Sequence, residues 1–458
     1  MVEVLISFKG GVGRVTRRPE RRMTRRAAIR KVCLLGMALL SAGVGGLRAA
    51  DWRPADTARL QRTVAFLASE ALAGRLTGSP GDSLAADYIA SRFAAAGLMA
   101  LEHGVAYETA RAAAPQQAFW QPYRMRASWG DSLFTRNVVG LLPGTDAAWR
   151  NRYMIVGAHF DHLGLGDKAG SLRPGTMAVH PGADDNASGV AVLLELADYF
   201  AAHPTPRTLI FVAFSGEEIG LCGSTWFAEH LPVPVESIDL MINLDMLGGL
   251  SDTVFTVSGA GTAREAAGVL SAVGDGSGLR IETIAGGHGP SDHAAFYARE
   301  IPVFFFATPP TQRYHTPDDR AETLNYAGMA RLLHVLRNTV EAASRVESAW
   351  HFTSTGSAAP TMTKGKFKVT LGLMPDINAS AGDTEGLKTM LVVEGKPAHA
   401  AGLRTGDILL KLNGVPLHTI EEYMQVLGTL HAGETVELEA VCGVAAGKPE
   451  RKTLQVEL

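Results

Sequence analysis

Five short segments of this 458-residue chain place histidines and carboxylates directly after apolar runs or at the start of helical ones. They are Gly157-Ala158-His159-Phe160-Asp161-His162, Pro181 to Gly189 with Asp184 and Asp185 side by side, Phe214-Ser215-Gly216-Glu217-Glu218, Leu244-Asp245-Met246, and Tyr314-His315-Thr316-Pro317-Asp318-Asp319. Imidazole and carboxylate donors with no cysteine among them suit a hydrolytic zinc centre, and manganese or cobalt would also be accepted. Two such metals, about 3.5–4 Å apart, need one shared carboxylate, further ligands on each side and a spare carboxylate to take a proton from water. The segments hold that inventory: two histidines, three ligand carboxylates and one base. Taken singly, a His-x-Asp is usually a structural hydrogen bond, a Glu-Glu pair a solvated helix start and an Asp-Asp pair a turn. The weight comes from all five together, at positions where one rim of a sheet can gather them.

The elements that must do the gathering are legible as apolar runs. Strands are predicted over 136–142, 153–158, 208–214, 239–245 and 301–306, and helices over 82–93, 189–201 and 321–343. Near-continuous apolar strands alternating with helices predict an α/β fold, with a mostly parallel central sheet flanked by helices. Such sheets carry their chemistry at the carboxyl ends of the strands. A polar stretch from Ser354 to Thr361 falls in a linker over 347–365, and 366–458 reads as a small β-rich domain with one helix, Ile420 to Leu430. No internal repeat is apparent.

Residues 1–50 hold 11 Lys/Arg against 2 Asp/Glu, followed by the short apolar run Val32 to Leu40 and the small residues Ala49-Ala50. That order reads as a secretory signal with an upstream basic segment, Met23 being an alternative start. Beyond it stand 32 basic and 44 acidic residues, a net charge of −12, which argues against nucleic-acid binding because phosphate contacts need a basic face. A periplasmic or secreted protein without a stable membrane span after signal removal is expected. Only Cys33, Cys222 and Cys442 are present, too few for a disulfide framework or a cysteine zinc module, and no bridge is expected between the last two.

The order of the motifs resembles the M28 family of zinc-dependent aminopeptidases, over about Ala65 to Ala343 and including the upstream segment Leu67-Ala68-Ser69-Glu70 to Gly78-Ser79-Pro80-Gly81. The resemblance implies a peptidase domain over 51–346, with His159 and Asp245 on one zinc, Glu218 and His315 on the other, and Asp184 bridging both. It implies Glu217 as general base and acid, Asp161 as the partner that fixes the His159 tautomer, and a cis peptide bond at Asp184-Asp185. Two zinc ions per chain, peptide substrates and removal of N-terminal residues follow from the same resemblance. Ser291-Asp292-His293 is similar to a family segment near the substrate pocket, or is a helix N-cap. The Gly-rich loop from Leu163 to His180 is expected at the cleft rim.

Residues 366–458 resemble a PDZ domain of the bacterial protease type, through Leu371-Gly372-Leu373-Met374, Gly406-Asp407-Ile408-Leu409 and the turn pair Asn413-Gly414. The resemblance implies that Leu371, Gly372, Leu373 and Met374 bind a peptide or protein C-terminus. The opposing reading is a packing domain, favoured by Pro375, which removes a backbone donor. Two other classes compete for the whole chain: a glutaminyl-cyclase-like single-zinc enzyme, and a non-catalytic peptidase-like binding ectodomain. The presence of both His159 and Asp245 argues against the first, and retention of every ligand argues against the second.

Overall fold

The computed structural model describes residues 54–100, 115–355, 369–375 and 385–458, with breaks at 128, 169, 174–175, 252, 274–276 and 419. The signal segment therefore lies outside the described residues, as do 356–365 of the expected linker. Among the described residues no helix is long and apolar enough to cross a membrane.

Nine strands form the first sheet: β1 Met99–Ala100, β2 Trp120–Arg126, β3 Ser132–Leu142, β4 Tyr153–His159, β5 Thr208–Phe214, β6 Ile238–Leu244, β7 Val254–Ser258, β8 Arg280–Ile284 and β9 Val303–Ala307. Their order is β1-β3-β5-β4-β6-β9-β7-β8, with β2 on β3. The centre, β5-β4-β6-β9, is parallel, and antiparallel pairs β3–β5 and β7–β9 flank it. Alternation along each strand fills both faces. Met154, Val156, Phe211 and Ile242 point to one core, while Ile155, Ile210, Val212 and Met241 point to the other. That two-sided burial is why these runs read as continuously apolar.

Helices α1 Pro54–Leu67, α2 Pro80–Ala95, α3 Gly189–Ala202, α5 Ala266–Val273 and α7 Tyr326–Ser344 contribute to the first core. The short helices α4 Cys222–Glu229 and α6 His293–Tyr297 contribute Phe227 and Phe296 to the second. Ser79 caps α2 by accepting from Asp82 N–H at 3.2 Å, ahead of Pro80 at the first turn. Helix α7 begins five residues later than the expected Ala321. The Asn325 side chain accepts from Gly328 N–H at 2.9 Å and starts the helix there, leaving Ala321–Thr323 as a separate turn.

The second sheet is antiparallel, β10 Leu373–Pro375, β11 Leu387–Val392, β12 Ile408–Leu412, β14 Thr435–Cys442 and β15 Glu450–Glu457 in that order, with β13 Val415–Pro416 on β12. Asn413 and Gly414 form the two-residue turn between β12 and β13, both at positive φ, as a type I′ hairpin requires. Helices α8 Pro397–Ala400 and α9 Ile420–Leu427 complete this module, whose core holds Leu371, Leu387, Val392, Leu409, Leu438 and Val456. Part of the expected linker is attached to the larger sheet domain: Trp350 N–H donates to Asp239 at 3.0 Å and Thr353 N–H to Thr262 O at 2.8 Å.

Candidate metal centre

His159 ends β4, Glu217 and Glu218 follow β5, and Asp245 follows β6, so three adjacent parallel strands deliver them to one rim. Gly157, two residues before His159, has to be glycine, since a Cβ there would sit 2.4 Å from the Phe214 ring. The remaining donors come from the turn Ala183–Ser188 and from the loop after β9.

At the centre stands Asp185. Its Oδ1 lies 3.3 Å from His159 Nε2, and Asp245 Oδ1 is also 3.3 Å from that nitrogen. Its Oδ2 lies 3.0 Å from His315 Nε2, which is 3.2 Å from Glu218 Oε2. The two oxygens of one carboxylate thus face two separate sets of donors. A tetrahedral zinc with ligands at about 2.0–2.1 Å holds them roughly 3.3 Å apart, the spacing seen in both sets.

The expectation for Asp184 is corrected. Its carboxylate turns away from the cluster and accepts from Gly248 N–H at 2.7 Å, and the cis peptide bond is Asp185-Asn186 rather than Asp184-Asp185. The cause lies in the turn. Gly182 enters it at φ 59°, where a Cβ would meet Asp185 O at 2.3 Å, and the backbone departs from helical values at Asp185 and Asn186. Asp319 accepts from the amides of Asp184 and Asp185 at 2.9 and 3.1 Å, and Asn186 accepts from Gly189 and Met246 N–H. Those bonds aim the second aspartate, not the first, at the histidines.

Neighbouring groups orient the donors. His315 Nδ1 lies 2.8 Å from Gly170 O, within the expected rim loop, which presents Nε2 to the cluster. Ser291 Oγ donates to Asp245 Oδ2 at 2.8 Å and in turn accepts from Asn243, so this serine orients the Asp245 carboxylate rather than capping α6 with its side chain. The His159 Nδ1 nitrogen lies 3.3 Å from the Asp161 carbonyl oxygen, nearer than the carboxylate at 3.8 Å. The Asp161 carboxylate instead accepts from Thr77 Oγ1 at 2.7 Å and from Glu217 N–H at 3.1 Å, so its bonds hold the main chain of the expected base.

Three residues with no role assigned from the sequence complete the site. His162 Nδ1 lies 2.6 Å from Glu218 Oε1, while His315 faces the other oxygen, Oε2. Asp319 aligns the turn. Buried Arg75 donates to the carbonyls of Phe160, Pro181 and Gly182 at 2.7, 2.7 and 2.9 Å, and to Leu67 O. Burial pushes its pKa down to about 10 against the pull of Asp161, Asp319 and Asp185. All three fall in segments quoted above, where the only hint was an Asp-Asp pair, a second histidine and a charge among small residues.

The charge pattern asks for cations. Asp161, Asp185, Glu217, Glu218 and Asp245 crowd against three imidazoles, and buried carboxylates of that number need positive partners. Burial alone would raise the Asp185 pKa, but the His159 and His315 bonds hold it well below the usual range. Glu218, likewise buried, is held down at about 2 by His315 and His162. Glu217 behaves oppositely: burial raises its pKa well above the ordinary value, His159 opposes and Glu218 adds to the rise. His159, Asp185 and Asp245 offer one clustered set of buried donor atoms, and His162, Asp185 and Glu218 another. The donor set, all N and O with one carboxylate spanning both groups, fits zinc.

The cluster opens into a cavity of about 110 Å³, where His159, Asp185, Glu217, Asp245 and His315 share the lining with Thr256, Phe305, Pro310 and Met390. In the smaller module Leu371 is buried in its core, and Gly372 N–H donates to Thr370 Oγ1 at 3.0 Å. Leu373 packs against that core, while Met374 lines the same cavity.

Residues 137–340 match the model of peptidase family M28, and 389–441 match that of a PDZ domain. A probable zinc metalloprotease of Pyrenophora teres f. teres is 40% identical over 113 residues, 24% of this chain and 22% of that protein. Aminopeptidase YwaD of Bacillus subtilis is 32% identical over 167 residues, 32% of this chain and 34% of its own length. The chain thus aligns with about a fifth to a third of these relatives. In fold it is similar to a Zn-dependent exopeptidase from Parabacteroides distasonis, with TM-score 0.51 and 18% identity over 64% of this chain and 99% of that one. Residues 137–340 thus carry the match to peptidase family M28, and residues 389–441 that to a PDZ domain.

Proposed function

We propose that this chain is an exported dizinc exopeptidase that removes N-terminal residues from peptides. The observation that carries the reading is the pair of donor sets meeting on the two oxygens of Asp185. His159, Asp185 and Asp245 would hold one zinc, and Asp185, Glu218 and His315 the other. His315 is preferred to His162 because the Nδ1 of His162 is engaged with Glu218, while His315 is anchored through Nδ1 and leaves Nε2 toward the acids. When bound, the two ions supply Lewis acidity and lower the pKa of a shared water toward neutrality.

The remaining work belongs to the chain's own residues. Glu217, on the cavity wall and with its pKa raised mainly by burial, would accept a proton from water and return it to the departing amine. Asp161 and Thr77 hold the Glu217 segment in place. The apolar cavity orients the substrate's side chain. The test combines metal analysis of the purified protein with cleavage of matched free and N-blocked peptides by wild type and Glu217→Gln. Expected are two zincs per chain, cleavage of free peptides only, and a loss of at least about 10²-fold in the variant with its metals retained. One zinc would point to the cyclase-like chemistry, none to a binding ectodomain, and equal cleavage of blocked peptides would overturn the exopeptidase assignment.

A further inference from the structure

The cavity beside Glu217 is not built by the peptidase domain alone. Thr256, Phe305 and Pro310 form walls on the sheet side, and Met374 of β10 and Met390 of β11 form a wall from the PDZ module. The two strands pair as Leu373 with Val392 and Met374 with Leu391, but Pro375 pairs with Thr389, which leaves Met390 as an extra residue in β11. A regular ladder would set Met390 opposite Pro375, on the face that Leu373 and Val392 turn into the module's core. The bulge releases it to join Met374 on the other face, which is the use of bulges beside functional sites. Both methionines are half-buried and absent from that core, although a module of this size has every reason to bury them.

The module is held in this position by hydrogen bonds. Gln312, three residues before His315, donates to Val392 O at 2.9 Å and accepts from Glu394 N–H at 3.1 Å, so one side chain grips the end of β11. The volume of about 110 Å³ takes in space at the donor cluster too, so what is left against the methionines is at most the scale of one aliphatic side chain, since a cavity of roughly 150 Å³ accepts benzene. Thioether walls adapt to such a group without specifying its branching.

We infer that Met374 and Met390 are specificity-determining residues: the PDZ module closes the pocket that receives the apolar side chain of a peptide's N-terminal residue. This rests on the exopeptidase reading for its substrate, but not for the existence of the two-domain pocket. In the full-length protein, Met374→Ala/Met390→Ala enlarges the pocket and Met390→Trp fills it. The ratio of kcat/KM for Phe- over Ala-initiated peptides should rise about 10-fold or more in the first and fall about 10-fold in the second, the scale on which methylene-sized changes discriminate. A second measurement does not need turnover. In Met390→Cys, maleimide labelling of residue 390, located by peptide mapping, should be slowed by L-leucine and not by glycine. An unchanged ratio, within twofold, with labelling indifferent to leucine overturns the pocket and leaves the peptidase reading intact. Leucine protection in a protein that cleaves no peptide overturns the peptidase reading and retains the pocket.

Discussion

Asp184 and Asp185 are the same residue type one peptide unit apart, yet their oxygens meet opposite surroundings. Asp185 faces His159 and His315, whereas Asp184 Oδ1 faces Gly248 N–H and its Oδ2 is buried with no hydrogen-bond partner. Asp185→Asn removes a charge and one of two facing oxygens, so zinc should fall below two per chain and affinity drop by more than about 10²-fold, more than a supporting residue costs. Asp184→Asn keeps an oxygen for Gly248 and should retain both metals. Elemental analysis after dialysis against a weak chelator decides between them, and loss of metal in the Asp184 variant alone would refute the assignment. The motif was visible in the residue order, but the choice between two neighbouring aspartates was not. That choice depends on Gly182 entering at positive φ and on Asp319, 135 residues from Asp184, capturing both amides.

At the scale of elements, Arg75 ties three segments together: the end of α1 through Leu67, the end of β4 through Phe160, and the approach to the metal turn through Pro181 and Gly182. Arg75→Met conserves much of the volume but orphans buried carbonyls, each costing about 1–3 kcal/mol. The variant should lose about 3 kcal/mol or more, read as a lower midpoint in urea with weaker zinc binding. A loss under about 1 kcal/mol would mean that water replaces the guanidinium. The central strands β4, β5, β6 and β9 were legible because burial on both faces leaves an unbroken apolar run. Strands β7 and β8 were not, since β8 exposes Arg280, Glu282 and Thr283 and carries no such run. Helix α7 was placed correctly but begun too early, because apolar spacing extends past the residue whose side chain caps it.

For the whole molecule, binding to the native state alone stabilises it by mass action. Removing metal leaves the carboxylates of Asp185, Glu218 and Asp245 to repel one another around His159 and His315. Dialysis against EDTA should therefore lower the thermal midpoint by several degrees, and zinc should restore it. An unchanged midpoint would argue that the acids are satisfied by the histidines alone. The PDZ module enters this balance through its seat: Gln312 ties the end of β11 to the loop that carries His315.

Residue order by itself determined the α/β class and the donor types that the rim gathers, because apolar periodicity and side-chain chemistry are local properties. Tertiary structure alone decided which aspartate faces the histidines, what Arg75, His162 and Asp319 hold in place, and that the PDZ module shares the cavity at the donor cluster. These are matters of direction and of contact between segments far apart in the chain, and direction is set by backbone angles and distant hydrogen bonds that no short stretch of sequence contains.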